Sequence, residues 1–386
     1  MLKTTINNTN TLTKHFVILF RAPEVRFGTP IRELRLTALS DSPLSALSRV
    51  ALQYFKNKMR LVKYNVIKAF ENYLPTLNDF EIAHENVPTL GPGEFLVKAV
   101  YISVDPYMRS FAHRRKVPYE QFGFQVGKVV ESQNSEYPEN VNVVSHSGWR
   151  EYTVLNGNPD DIFSLKPYQP QIGNLPLSLS LGALGMPGMT AYLGMVEICK
   201  PKKGEVVCVT SAAGAVGSIA GQIAKIKGAT VIGFAGTDEK VQMLLEELNF
   251  DHAFNYKKEK DIMGTIRSTV EGIDCYFDNV GGELAMTILK CMNPEGRVAE
   301  CGSISTYGKS LANKKPALPG SVKIQSFSFA QWDWSQQSAA LQHIRHWIEK
   351  GAIKVKETVA NGFEVLPDTF IAMLKGDNVG KSVVKV

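Results

Sequence analysis

The first half of this chain contains no cysteine. All five (Cys199, Cys208, Cys275, Cys291 and Cys301) fall in the second half, with no CxxC spacing. That pattern excludes a disulfide framework and fits a reducing compartment. Most of these thiols lie inside apolar runs, where cysteine reads as a small buried hydrophobe. Catalytic zinc needs Cys, His or carboxylate ligands around an open position. No four-cysteine cluster exists, and His84, His113 and His146 show no ligand spacing, so no metal is expected. A GxSxG elbow is also missing. The segment Thr210–Gly214 ends in small residues, which argues against a serine hydrolase. No apolar run approaches the roughly 18 residues needed to span a bilayer, and there is no internal repeat.

Acidic residues are scarce at the start of the chain. Residues 1–58 hold nine Lys/Arg against three Asp/Glu, and the remainder holds 34 of each. The net charge of +6 therefore belongs to the leader, and the body offers no basic face for nucleic acid. This leader is rich in Thr, Asn, Ser and Arg, with helical apolar spacing over Ile31–Leu39. It reads as a disordered, non-functional extension with Met59 as a second start, which leaves the protein cytoplasmic. The other reading is a mitochondrial transit peptide.

Glycine, by contrast, is concentrated where it is informative. In Glu205–Lys240 an apolar run (Val206–Val209) leads to Gly214, Gly217 and Gly221, and a second run, Thr230–Phe234, follows Gly228. Strand, glycine turn, helix and strand bind a dinucleotide pyrophosphate on backbone N–H groups at a helix N-terminus. An NAD site places an acid at the end of the second strand for the ribose 2′-OH. Here Ala235, Gly236 and Thr237 stand there, with Lys240 beyond. A missing acid and a nearby cation suit the 2′-phosphate of NADPH. Lys240 also reads as a solvated lysine of a first helical turn.

At 386 residues the chain predicts two folded domains. From Leu61 to about Leu181 short strands (Glu94–Val104, Gln125–Glu131, Asn142–Val144) predict a mostly antiparallel β domain. An apolar helix, Thr190–Ile198, bridges to a stretch where strands and helices alternate up to a closing helix at Ser335–Glu349. That alternation predicts an α/β fold with a doubly wound parallel sheet. The tail, with a helix at Leu366–Leu374 and a strand at Ser382–Val386, returns to the β domain. Boundaries are expected at 1–58, at 59–184 with 352–386, and at 185–351.

Two further turns leave strands at the carboxyl edge of this sheet, where ligands bind. Asp278–Gly282 follows Ile273–Phe277, and Asn279 is either a ribose or nicotinamide contact or a turn residue. In Cys301–Tyr307, Gly302 would admit a nicotinamide ring, and Tyr307 would either present a hydroxyl to a substrate oxygen or be an amphipathic surface residue.

These segments, with VDPYMR (Val104–Arg109), LGMPGMTAY (Leu184–Tyr192), AAGAVGS (Ala212–Ser218), GQIAKIKG (Gly221–Gly228), GTDEK (Gly236–Lys240), FNYK (Phe254–Lys257), CYFDNVGGE (Cys275–Glu283), CGSISTY (Cys301–Tyr307) and MLKGDNVGK (Met373–Lys381), give the chain a close resemblance to the zinc-independent medium-chain dehydrogenase/reductases from about Arg60 onward. The resemblance implies a GroES-like β domain beside a Rossmann domain. Gly214, Ala215, Val216 and Gly217 would hold the pyrophosphate, and Lys240 and Tyr256 the adenosine end with its 2′-phosphate. Asn279, Cys301, Gly302, Ser303, Ile304, Ser305, Thr306 and Tyr307 would line the cofactor, with Phe327, Ser328 and Phe329 and with Asn378. The implied reaction is NADPH-dependent reduction of the conjugated C=C bond of 15-oxo-prostaglandins, alkenals and other enones. Tyr307 and, from VDPYMR, Tyr107 are the implied hydroxyl donors to the enolate oxygen. A quinone reductase of the same superfamily is the alternative. A homodimer with a small lipid-like substrate, and neither nucleic acid nor membrane, is expected. The chain departs from the family pattern at 309–334, where substrate preference would be set.

Overall fold

The computed structural model describes residues 60–70, 74–307 and 321–386, together with the strands Thr4–Ile6, Lys14–Ile18 and Leu34–Ala38. Two units separate by their internal contacts, Met1–Arg60 and Leu61–Val386. In the first, the three strands pair antiparallel in sequence order. The helical spacing read over Ile31–Leu39 is thus replaced by a strand. Leu34, Leu36 and Ala38 alternate with Arg35 and Thr37, and that period of two prevails. The expectation of a disordered leader falls mostly outside the described residues.

The second unit holds a six-stranded parallel sheet. Its strands are β1 (Val206–Thr210), β2 (Thr230–Ala235), β3 (His252–Asn255), β4 (Ile273–Asp278), β5 (Met292–Glu300) and β6 (Lys323–Ser326). They lie in the order β3-β2-β1-β4-β5-β6, all parallel. Parallel neighbours need crossovers, and the helices that supply them are α1 (Gly217–Ile226), α2 (Asp238–Glu246), α3 (Ile262–Thr269) and α4 (Gly282–Leu289). Val207, Cys208 and Val209 are fully buried, as a strand covered on both faces requires. The strand order reverses between β1 and β4, and the crevice above that point is where a dinucleotide lies in such sheets.

A second six-stranded sheet is mixed. Glu357–Asn361 pairs parallel with Lys381–Lys385, and the remaining pairings, through Phe95–Ser103, Gln125–Ser132 and Asn142–Ser145, are antiparallel. Tyr152–Leu155 pairs antiparallel with Phe95–Ser103 from the side. The C-terminal strand enters this sheet, as the apolar tail predicts. Beside it Lys381 is buried with its ammonium 3.1 Å from Asp105 and 2.8 Å from the Val104 carbonyl. Such a pair needs both partners, because either charge alone in the interior is costly.

Between the sheets the bridging helix starts at Met186, four residues earlier than its apolar run suggests, and runs on as a π-helix over Gly194–Cys199. Gly194 explains the close fit there. A Cβ on it would fall 2.5 Å from the Phe327 ring and 2.6 Å from that of Phe277. Gly221, third of the glycine triplet, is likewise a packing glycine. It faces Phe250, whose Cζ would lie 2.0 Å from an added methyl. Overpacking of this kind costs about 1–3 kcal/mol. Gly221→Ala is therefore expected to lower Tm by several degrees in a thermal melt. Adding Phe250→Leu should recover part of the loss; an unshifted Tm would contradict this packing.

Candidate functional site

The glycine turn is built by a chain crossing that only glycine permits. A Cβ on Gly217 would meet the Ser211 carbonyl oxygen at 2.3 Å and the Ala212 Cα at 2.9 Å. Gly214 N–H donates to Ser211 O and Ser218 N–H to Gly214 O, which turns the backbone from β1 into α1. The helix begins at Gly217 after Val216, whose side chain caps nothing. The first-turn N–H groups of α1 therefore have no side-chain cap, and together with the helix dipole they suit a pyrophosphate. Gly214, Ala215, Val216 and Gly217 all lie on this turn.

At the end of β2 the structure gathers cations where an NAD site would place an acid. A Cβ on Gly236 would stand 3.5 Å from the Tyr256 ring and 3.6 Å from Lys257 Nζ. Lys240 is half-buried at the start of α2, with its Nζ 2.5 Å from the Gly376 carbonyl. Burial lowers its affinity for the proton, Asp377 raises it and Lys257 lowers it. Asp238 is already engaged with Asn255 and Lys258. Tyr256 and Lys257 thus lie close to Gly236, and Lys240 is within electrostatic reach of Lys257. Lys257, inside FNYK but not singled out by the sequence, is a second cation.

Asp278 organises the β4 turn. Its Oδ1 accepts from Tyr276 Oη at 2.7 Å and from the Val280 and Gly281 N–H groups, both at 2.9 Å. Asn279 donates its side-chain amide to the Thr210 carbonyl at 2.7 Å, tying β4 to β1. This bond serves the turn and uses one of the two N–H groups of the side-chain amide. The segment Cys301–Tyr307 lies over this turn. Gly302 N–H donates to Asp278 O, Ser305 N–H to Val280 O, and Ser305 Oγ also to Val280 O. Ser303 and Thr306 bracket a short 3₁₀ helix containing Ile304. Burial pushes the Cys301 thiol up to about 12, which keeps it protonated. An added Cβ on Gly302 would lie 3.1 Å from Tyr307 Oη and 3.5 Å from the Asn279 carbonyl oxygen. The missing side chain of Gly302 thus lets the Tyr307 hydroxyl and the Asn279 carbonyl approach the backbone at this turn.

Other expected residues are placed differently. Phe327 and Phe329 are buried, against Phe277 and Phe163 respectively. Their side chains belong to the core, so only their backbone and Ser328 remain available to a cofactor. Apolar aromatic rings gain more by packing than by lining a polar ligand. Asn378 turns its amide onto Gly380 O at 2.8 Å, and Gly380 N–H donates to Ala213 O at 2.8 Å, so this loop borders the glycine turn. Tyr107 lies in a box of rings with Phe111, Phe122 and Phe163. Its hydroxyl is 3.1 Å from His146 Nε2, and burial holds its proton tightly. The segment 309–320, where the sequence departs from the family pattern, lies outside the described residues.

His146 comes together with Asp160 and Asp161, which their sequence spacing concealed; among the described residues this is the one His/Cys/Asp/Glu group with metal-like proximity. It does not fit a catalytic metal. Asp160 spends its oxygens on the N–H groups of Ile162, Phe163 and Leu165, and Asp161 pairs with Arg115. Burial drags the imidazole down to about 4 although both carboxylates pull it up.

Comparison with known proteins decides the family. Residues 63–162 match the model described as "N-terminal domain of oxidoreductase", and residues 215–345 that described as "Zinc-binding dehydrogenase". Prostaglandin reductase 1 of Rattus norvegicus is 43% identical over 328 residues, covering 82% of this chain and 97% of the relative. The chain belongs to the zinc-independent medium-chain dehydrogenase/reductases. Within that family the NADP(+)-dependent 2-alkenal reductase of Nicotiana tabacum is 35% identical, covering 84% of this chain and 97% of the relative. CurA from Vibrio vulnificus, solved in complex with NADPH, superposes with a TM-score of 0.74 at 32% identity, covering 84% of this chain and 99% of CurA. The dehydrogenase/reductase fold expected from the sequence, a Rossmann sheet plus a largely antiparallel β sheet, is the fold found. Among the described residues no helix is long and apolar enough to cross a membrane.

Proposed function

We infer that this dehydrogenase/reductase is an NADPH-dependent alkene reductase acting on α,β-unsaturated ketones and aldehydes. The observation that carries the reading is the Tyr307 hydroxyl held over Gly302, at the end of a sheet whose phosphate turn and neighbouring lysines suit NADPH. The named activities of the prostaglandin and 2-alkenal reductases support it. NADPH, when bound, supplies a hydride to the β-carbon of the enone. The protein's own work is to place that carbon and to meet the charge that gathers on the carbonyl oxygen. A hydroxyl aimed at such an oxygen stabilises the enolate, a role worth roughly 3–4 kcal/mol for a good donor, and Tyr307 is our candidate for it. Tyr107, whose hydroxyl is bonded to His146, is the second candidate.

In this reading residues 59–184 and 352–386 form the catalytic domain and 185–351 the cofactor domain, working as a cytoplasmic homodimer on small lipid-like enones. The test is a steady-state panel following loss of reduced nicotinamide. Nonenal and a 15-oxo-prostaglandin should be turned over with NADPH and poorly with NADH. Turnover of a simple quinone but neither enone would replace this reading by a quinone reductase.

A further inference from the structure

Lys240 stands between two anionic claims. One is the 2′-phosphate of the cofactor, on the reading above. The other is part of the protein: the turn that ends the helix Leu366–Lys375. Gly376 closes that helix in the left-handed conformation, at φ 82°. Its carbonyl takes the Lys240 ammonium at 2.5 Å, and the following residue, Asp377, is exposed and acts on the same ammonium. A helix C-terminus carries unsatisfied carbonyls and a partial negative charge, so carbonyl, dipole and carboxylate all draw the lysine one way. Lys257 repels it.

We propose that the Gly376–Asp377 turn is a specificity-determining element that competes with the cofactor's 2′-phosphate for the Lys240 ammonium. NADPH has to draw Lys240 off the turn, whereas NADH, lacking the phosphate, makes no such demand. The turn therefore weakens NADPH binding selectively. It also limits how strongly the site discriminates between the two cofactors. The same loop continues through Asn378 to Gly380, whose N–H holds Ala213 beside the phosphate turn. Both phosphate positions of the cofactor are thus bordered by one short segment.

The proposal rests on Lys240 meeting the 2′-phosphate, so the experiment separates the two. Dissociation constants for NADPH and NADH are measured on the full chain and on Asp377→Asn, Lys240→Ala and the double variant. Asp377→Asn should tighten NADPH about 3- to 10-fold and leave NADH within about twofold, an effect that shrinks as salt screens the exposed charge. In the Lys240→Ala background the gain should vanish, the coupling a double-mutant cycle reads. An equal change for both cofactors, or a gain that survives loss of Lys240, overturns the competition. If Lys240→Ala leaves the NADPH-to-NADH ratio untouched, the 2′-phosphate reading fails, and the proposal with it. Asp377→Ala provides a second charge-removing variant should the amide hydrogen-bond in a new way.

Discussion

Tyr307→Phe should lower kcat with an enone by roughly 10²- to 10³-fold, the usual cost of deleting one donor to a developing oxyanion. NADPH affinity should stay near normal, since the phenyl ring still fills the same volume. The expectation follows from geometry. The hydroxyl oxygen lies 3.1 Å from where a Gly302 Cβ would be, on the segment that leaves β5 at the carboxyl edge of the sheet. The loop that presents it is fixed by five hydrogen bonds onto the 278–280 turn. An interaction made only when charge develops removes kcat and kcat/KM together when deleted. A loss confined to KM would move Tyr307 from chemistry to substrate binding, and unchanged kinetics would remove the assignment. His146→Phe, which deletes the partner of Tyr107 but keeps a ring in the aromatic box, is a useful control for cleft shape.

Joint replacement of Lys240 and Lys257 by alanine should raise the Kd for NADPH on the order of 10²-fold while changing that for NADH little. Hydrogen bonds to charged groups contribute roughly 1.5–3 kcal/mol each, and two adjacent lysines are not fully additive. Both ammonium groups border the same end of β2, and Asp238, the nearest acid in sequence, is held by Asn255 and Lys258. Titration of reduced nicotinamide fluorescence against each variant reads the ratio directly. If both cofactors weaken alike, the lysines support the fold rather than the phosphate.

The parallel sheet was legible because its signals are local. Apolar runs near glycines placed β1 and β2 to within one residue of their observed ends, and the glycine turn announced its own chemistry. Three-dimensional convergence was not legible. His146 is remote in sequence from Asp160, and spacing carries no trace of a loop that folds back. Phe327 and Phe329 matched a cofactor segment in order, yet burial sent both rings into the core. Lys257 lay one residue beyond Tyr256, and only its position over Gly236 distinguishes it from the surrounding surface lysines.

The hydrogen bond from Gly380 to Ala213 bears on how the protein folds. The phosphate turn itself is local, and β1, α1 and β2 can assemble early from neighbouring residues. Its border, however, comes from a segment far along the chain, and contacts of large sequence separation form late because loop closure must come first. Cofactor binding should therefore report the final docking step of folding, after the parallel sheet has formed, and a refolding assay that follows NADPH should lag one that follows secondary structure.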